Sequence, residues 1–210
     1  MKLLFLHGWA FGADLWHAVT PLLDHECLVA DRGYFGASAW PRANGPTVVV
    51  AHSLGAMLAL RDLPEQCRGL VAVNGFDSFA ALADRPGVSA RVLERMLVRF
   101  EEAPERVVAD FRRNAGGEEA PAIADRALLR EDLAFLRDGD CRAPTRAADF
   151  PVLSLQGGCD AIVPPALREC AFEGAADLRR AICAEGGHLL PLTHPRTCAD
   201  AIAGFVAGLS

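Results

Sequence analysis

Thr47-Val48-Val49-Val50-Ala51-His52-Ser53-Leu54-Gly55-Ala56-Met57-Leu58 is the stretch from which the fold can be read. Thr47 to Val50 is a β-branched run that is apolar on both faces, as in a strand buried within a parallel sheet. Leu54 to Asp62 holds good helix formers and no proline. Ser53 therefore falls where a strand turns sharply into a helix. A turn of this kind lifts a serine hydroxyl above the sheet, and its common form is G-x-S-x-G. Here it reads Ala51-His52-Ser53-Leu54-Gly55, with small residues where the strand and helix backbones come close. Ala51 adds only a methyl group to the usual glycine. The plain alternative is a structural serine in an ordinary strand–helix turn.

Working outward, Lys2–Leu6 reads as a buried strand and His7-Gly8-Trp9 as the loop after it. Ala13–Leu23 has a helical pattern, with Pro21 bending it or starting its second half. Cys27–Ala30 is a short strand that leads through Asp31-Arg32-Gly33-Tyr34-Phe35-Gly36 into a loop. Gly69–Val73 is the next strand, followed by Asn74-Gly75-Phe76. From about 80 to 147 the strand patterns vanish. Val88–Phe100, Glu105–Arg113 and Ala122–Arg137 instead carry apolar residues at helical spacing. Strand pattern resumes at Pro151–Leu155 and Leu178–Cys183, with helices at Ala166–Phe172 and Arg196–Leu209. The expectation is an α/β protein with a mainly parallel sheet of about six strands and helices on both faces. Residues 1–79 and 148–210 would form its core, and 80–147 a helical lid.

Composition bounds the rest. The chain has 210 residues and a net charge of −6, which argues against a general nucleic-acid binder. Its seven cysteines are odd in number and include no Cys-x-x-Cys pair, so neither a disulfide framework nor a zinc site is expected, and a reducing cytoplasm is. No signal peptide is read before the first strand. No apolar run approaches the ~20 residues of a membrane span. No cofactor or metal is expected, and the chain is read as a monomer.

A serine hydroxyl attacks well only if a base takes its proton. Among six histidines, His188 is the candidate, because Glu185-Gly186-Gly187-His188 follows the last strand and precedes the final helix. His7 is read as shaping the loop after the first strand, and His194 as capping or supporting the last helix. His52 adjoins Ser53 but points away from it, and His17 and His25 lie at the surface. The base needs a carboxylate to fix its tautomer. Asp160, just past the fifth strand in Gly157-Gly158-Cys159-Asp160, is the first candidate and Asp77 the second. The order Ser53, Asp160, His188 matches one known triad order. Negative charge developing on the substrate would be met by the backbone N–H of Leu54 at a helix start, and by that of Trp9.

With His7-Gly8-Trp9, the Ser53 elbow, Gly157-x-x-Asp160-x-x-Val163-Pro164 and Gly187-His188 followed by His194-Pro195, the chain resembles the α/β-hydrolase superfamily over its whole length. Within it the chain is most similar to the pimeloyl-[acyl-carrier protein] methyl ester esterases of biotin synthesis. The likeness includes Trp16, Gly33–Ser38 and Leu70-Val71-Ala72-Val73. It extends to Glu105-Arg106-Val107-Val108-Ala109-Asp110-Phe111, which resembles that family's lid helix. The resemblance implies that Arg106 contacts the carrier protein and that Phe111 lines the acyl tunnel; Trp9, from its place in the loop after the first strand, is read as a packing residue whose side chain also meets the substrate. A second carrier-binding arginine of that helix falls on Asp110, and the Asp31–Thr47 link is too short for the family's usual helix.

Residues 85–146 carry 12 Arg and 12 Asp or Glu. Arg91, Arg95 and Arg99 recur every four residues, a basic stripe that could meet an acidic carrier protein or an anionic acyl end, or simply be a solvated helix face. Three functions stay open: a serine esterase acting on an acyl chain, a thioesterase or small-ester carboxylesterase, and a non-catalytic binding module.

Overall fold

The computed structural model describes residues 1–209. Its centre is a six-stranded, all-parallel sheet: β1 (Lys2–Leu6), β2 (Glu26–Val29), β3 (Thr47–His52), β4 (Cys67–Val73), β5 (Val152–Gly157) and β6 (Leu178–Cys183). The spatial order is β2-β1-β3-β4-β5-β6. The chain first moves outward from β1 to β2, then returns to β3 and proceeds the other way. The reversal lies between β1 and β3, and parallel sheets open a crevice at the carboxyl ends of such a pair. The loop carrying Trp9 and the turn carrying Ser53 both stand there.

Burial explains the continuous apolar strands. Leu4, Leu6, Val49, Ala51, Leu70 and Ala72 face one layer, which includes helix α1 (Leu54–Arg61). Leu3, Phe5, Val48, Val50, Val71 and Val73 face the other, against Ile202 and Phe205 of the last helix, α8 (Pro195–Ala207). Between β4 and β5 come α2 (Ala90–Glu102), α3 (Pro104–Asn114), α4 (Arg126–Asp138) and the short α5 (Arg142–Ala147). Two further short helices, α6 (Pro165–Cys170) and α7 (Leu190–Thr193), complete the set.

The helical insertion is tied to the sheet by a buried charge. Asp132, on α4, has no solvent exposure. Its carboxylate accepts from Arg32 Nε (2.8 Å) and Nη2 (2.6 Å), and from the Tyr34 hydroxyl. Burial, then the charge of Asp132, holds the Tyr34 phenol protonated well above its usual range. The Trp9 indole N–H adds a bond to Leu129 O, 2.8 Å away. Arg32 and Tyr34 lie on the loop after β2, so α4 is bolted to the same end of the sheet as the crevice.

Several expectations need correction. Ala13–Leu23 is not one helix but two short 3₁₀ turns, Ala13–Trp16 and Thr20–Leu22, the second with Pro21 in its first turn. The helix expected from Ala122 starts at Arg126, where the Asp125 side chain caps it by accepting from Leu128 N at 2.9 Å. No helix was expected at Arg142–Ala147.

Replacing Asp132 by Ala strands a guanidinium and a phenol that are both largely out of water. The expected loss is about 3–5 kcal/mol of unfolding free energy, read from urea melts. Arg137→Ala, which removes only solvated contacts with Glu94 and Asp138, should leave the midpoint nearly unchanged. Equal effects of the two changes would contradict the assigned role of Asp132.

Candidate active site

Ser53 sits at the turn between β3 and α1 with φ 53° and ψ −125°, a positive φ that side chains rarely adopt. The surroundings hold it there. Its N–H donates to Val73 O (3.1 Å), and its carbonyl accepts from Ala56 N (3.0 Å). The glycines fit tightly. A Cβ on Gly55 would lie 2.7 Å from His7 O, so Gly55 lets α1 approach the end of β1 rather than β3. A Cβ on Gly8 would lie 2.8 Å from the Ser53 Cβ. The loop after β1 thus runs directly against the turn. Neither the Trp9 nor the Leu54 N–H donates to any group among the described residues. Leu54 is the first residue of α1, where helix geometry leaves such groups free.

Asp160 and His188, brought in from the ends of β5 and β6, form one buried unit. His188 Nδ1 donates to Asp160 Oδ2 at 2.8 Å. The other carboxylate oxygen accepts from Ile162 N (2.7 Å) and Val163 N (2.9 Å). Burial alone would raise the Asp160 pKa. The hydrogen bond and charge of His188, with the two backbone N–H groups, outweigh it and lower the pKa. With the proton on Nδ1, the ring's acceptor is Nε2, which is buried and has no partner among the described residues. A histidine in this state can take up one proton at Nε2 while the carboxylate steadies the resulting cation.

The other candidates fall into place around this pair. Asp77, the second carboxylate considered, does not reach His188. Its Oδ1 accepts from Arg85 Nη2 (2.7 Å) and Phe172 N (3.2 Å). His7 Nε2 accepts from Arg32 N at 2.9 Å and so braces the loop after β2. His194 stands at the N-cap of α8, but its side chain makes no capping bond. His52 is not idle. Its ring lies 4.7 Å from that of His188, and its Nε2 donates to His188 O at 2.9 Å. Burial, followed by the neighbouring His188, lowers its pKa to about 3. Asn74, in the loop after β4, also donates to His188 O (2.7 Å). Its only local signal was an Asn-Gly pair at a strand end.

Above the pair lies the insertion. Phe111, on α3, stands 6.4 Å from the His188 ring and 4.9 Å from Trp9. Trp9 itself is almost fully buried. Phe111 also borders a cleft of about 410 Å³ between α2, α3 and α4 and the residues after Asp160. Its walls include Val92, Met96, Val107, Leu133 and Ile162, with Arg99, Asp110 and Asn114 as its polar members. Arg91, Arg95 and Arg99 are exposed on α2, and Arg106 is exposed on α3. Arg99 is not free, because Asp110 accepts from it at 3.1 Å. Arg91, Arg95 and Arg106 make no ion pair among the described residues.

Comparison with known proteins adds three findings. A family model described as the alpha/beta hydrolase family matches residues 3–201. Two curated relatives, both pimeloyl-[acyl-carrier protein] methyl ester esterases, match nearly the whole chain. That of Serratia marcescens is 26% identical, covering 98% of this chain and 93% of its own. That of Aromatoleum aromaticum is 29% identical, with 98% of each covered. Among solved structures, an esterase from Exiguobacterium antarcticum superposes with a TM-score of 0.82 at 17% identity, over 99% of this chain and 92% of its own. A bromoperoxidase from Bacillus anthracis does so at 0.78 and 18%, over 98% and 91%. At such identities the two structures speak for the fold alone.

The state of His52 makes stability pH-dependent. Unfolded, it takes a proton near its ordinary pKa of about 6.5; folded, it refuses one until about pH 3. The unfolded chain therefore binds more protons in between, and stability that is complete above pH 6.5 is lost as pH falls toward 3. The lowered pKa of Asp160 adds a loss of the same sign at lower pH. Between pH 7 and 4.5 the His52 contribution is on the order of 2 kcal/mol. His52→Gln, which stays neutral, should lose correspondingly less in urea melts over that range. Identical losses would show that His52 is not held neutral. The groups nearest to it, His188, Asp160 and His7, are the same in both proteins.

Proposed function

The chain belongs to the alpha/beta hydrolase family, and on that footing we propose that it is a serine carboxylesterase acting through Ser53, His188 and Asp160. One observation carries the reading. The buried Asp160–His188 hydrogen bond leaves His188 Nε2 as an unpartnered acceptor, and it stands on the same sheet rim as the strained Ser53 turn.

The chemistry follows from those atoms. Ser53 Oγ attacks the ester carbonyl carbon as its proton passes to His188 Nε2. The carbonyl oxygen becomes an oxyanion that accepts from the N–H groups of Leu54 and Trp9. The bond to the leaving alcohol then breaks, and His188 returns its proton to that oxygen. Water attacks the acyl-serine and gives a proton to His188, the acid departs, and Ser53 regains its hydrogen. Asp160 remains ionised throughout and stabilises the imidazolium.

For the substrate we propose an acyl ester presented by an acyl carrier protein, with the methyl ester of pimeloyl-acyl-carrier protein as the specific case. The two relatives support it, as does an apolar cleft within the usual 300–1,000 Å³ of ligand sites. In this reading residues 80–147 act as a lid, the acyl chain lies along the cleft beside Phe111, and Arg91, Arg95 and Arg106 supply free cations for an acidic carrier. Asp110, by engaging Arg99, takes one cation of the stripe out of use. An odd number of cysteines with no Cys-x-x-Cys pair supports a reducing cytoplasm as the enzyme's compartment. A thioesterase or small-ester carboxylesterase is the competing reading of the same site.

One panel tests both levels, with carrier-bound acyl esters, carrier-bound thioesters and nitrophenyl acetate run side by side. Ser53→Ala should abolish turnover of all of them; loss of a triad serine costs on the order of 10⁶ in kcat. Arg106→Ala should raise KM for the carrier-bound ester in a salt-dependent way and leave nitrophenyl acetate unchanged. Phe111→Ala should penalise longer acyl groups more than acetate. Substantial activity in Ser53→Ala would remove the nucleophile assignment. Equal, salt-independent effects of Arg106→Ala on carrier-bound and free esters would leave a general carboxylesterase.

A further inference from the structure

Among the buried polar groups that the proposed chemistry does not use, one side chain touches both loops on which that chemistry depends. Asn74 is the first residue after β4. It is fully buried and has φ 48°. Its Oδ1 accepts from Gly157 N at 2.6 Å, where β5 ends and the loop to Asp160 begins. Its Nδ2 donates to Gly187 O (2.9 Å) and His188 O (2.7 Å) on the loop after β6. The amide orientation follows from its partners, since the reverse would set NH₂ against an N–H and oxygen against two carbonyls.

We propose that Asn74 is a positioning residue, clamping the Asp160 loop and the His188 loop together so that the His188 ring is held in line with its carboxylate. The proposal rests on the reading of Ser53, His188 and Asp160 as the reactive set.

The geometry asks for asparagine in two ways. The clamp needs one acceptor and two donors at the end of a short side chain. Asp offers only acceptors when ionised, and Ser offers a single hydrogen. The backbone needs a positive φ, which Asn and Gly tolerate better than most residues. The two loops are already in close contact at this point. A Cβ on Gly157 would lie 2.5 Å from both Gly186 O and Gly187 O, and Cys159 N donates to Gly186 O at 2.8 Å. Asn74 closes the assembly from the β4 side. The His188 carbonyl then carries two donors, Asn74 Nδ2 and His52 Nε2, while its ring carries Asp160. Main chain and side chain of the same residue are thus fixed independently. None of these contacts borders the acyl cleft, so losing them should disturb the chemistry and spare substrate binding.

The test uses the full chain and two variants. Asn74→Gly keeps the backbone freedom and deletes all three bonds. Asn74→Asp keeps tolerance of positive φ and the acceptor for Gly157 N, and deletes both donors. Three quantities are read: kcat and KM on nitrophenyl acetate, the melting curve, and the low-field proton resonance of the Asp160–His188 hydrogen bond. Misplacing a reacting group by about 1 Å costs on the order of 10²-fold, so kcat should fall by about tenfold or more in both variants with KM nearly unchanged. The resonance should broaden or move upfield under conditions where the chain is folded. If Asn74→Gly does not fold, Asn74→Asp decides on the same readouts. Wild-type kcat in folded variants, or a kcat loss that merely follows the unfolded fraction with the resonance unmoved, would overturn the proposal. Ser53→Ala is the control. If it keeps full activity, the catalytic reading falls, and the resonance alone then decides whether Asn74 holds the pair.

Discussion

The hydrogen bond between Asp160 and His188 is the constraint around which the rest of the molecule is arranged. A carboxylate and an imidazole are both taken out of water there, and an isolated pair of that kind is costly to bury. It is sustained because every other demand of the carboxylate is met: Ile162 N and Val163 N bind its second oxygen. Bringing the two residues together requires two loops from adjacent strands to end at one level. The parallel β5–β6 register does this, pairing Gly157 with Cys183 at the last step of the ladder. Gly158 N then bonds Cys183 O at 2.8 Å and carries the alignment one residue into the loops.

The Ser53 turn is built on the opposite principle, strain held by packing. A positive φ at Ser53 is tolerable only where neighbours over-determine the backbone. β1 and β4 flank β3, the Ser53 N–H is bonded to Val73 O, and Gly8 and Gly55 let the loop after β1 close against the turn. The insertion completes the enclosure. Asp132 fixes α4 to the loop after β2, and Phe111 of α3 reaches the space above His188. The buried charged anchor is thus on α4, while α2 and α3 pack through apolar residues such as Leu97, Phe100, Val107 and Val108, with the exposed Arg99–Asp110 pair adding little to stability.

What could be read from the chain divides along the same line. The strand–serine–helix turn was legible because its cause is local: a β-branched run, a small residue, a serine, a glycine. The parallel sheet followed from alternating patterns, and the positions of Asp160 and His188 after strands followed from the sheet. The run of helices between β4 and β5 was visible as a change of periodicity. Contacts between distant segments were not visible. Nothing near Asp132 marks it as the partner of Arg32, one hundred residues earlier. Asp77 and Asp160 both follow strands, and only the fold shows that Arg85 occupies the first and His188 the second. Asn74 and His52 read as a loop residue and a neighbour turned from Ser53 because their partners, Gly157 and His188, come from the ends of other strands. Ala13–Leu23 differs for another reason: the break at Pro21 is local and legible, as the start of a second segment, but the apolar spacing does not distinguish an α-helix from the two 3₁₀ turns that form.

The most direct measurement is the site of covalent capture. The chain would be treated with diethyl 4-nitrophenyl phosphate, a neutral phosphotriester that transfers its phosphoryl group to an activated serine and expels nitrophenolate. Intact mass and peptide mapping then locate the adduct. The expected result is one diethylphosphoryl group per chain, on Ser53, formed in step with complete loss of ester hydrolysis and not formed in His188→Ala. Capture at another residue, or full ester hydrolysis by chains modified at Ser53, would contradict the assignment of Ser53 and His188 as nucleophile and base.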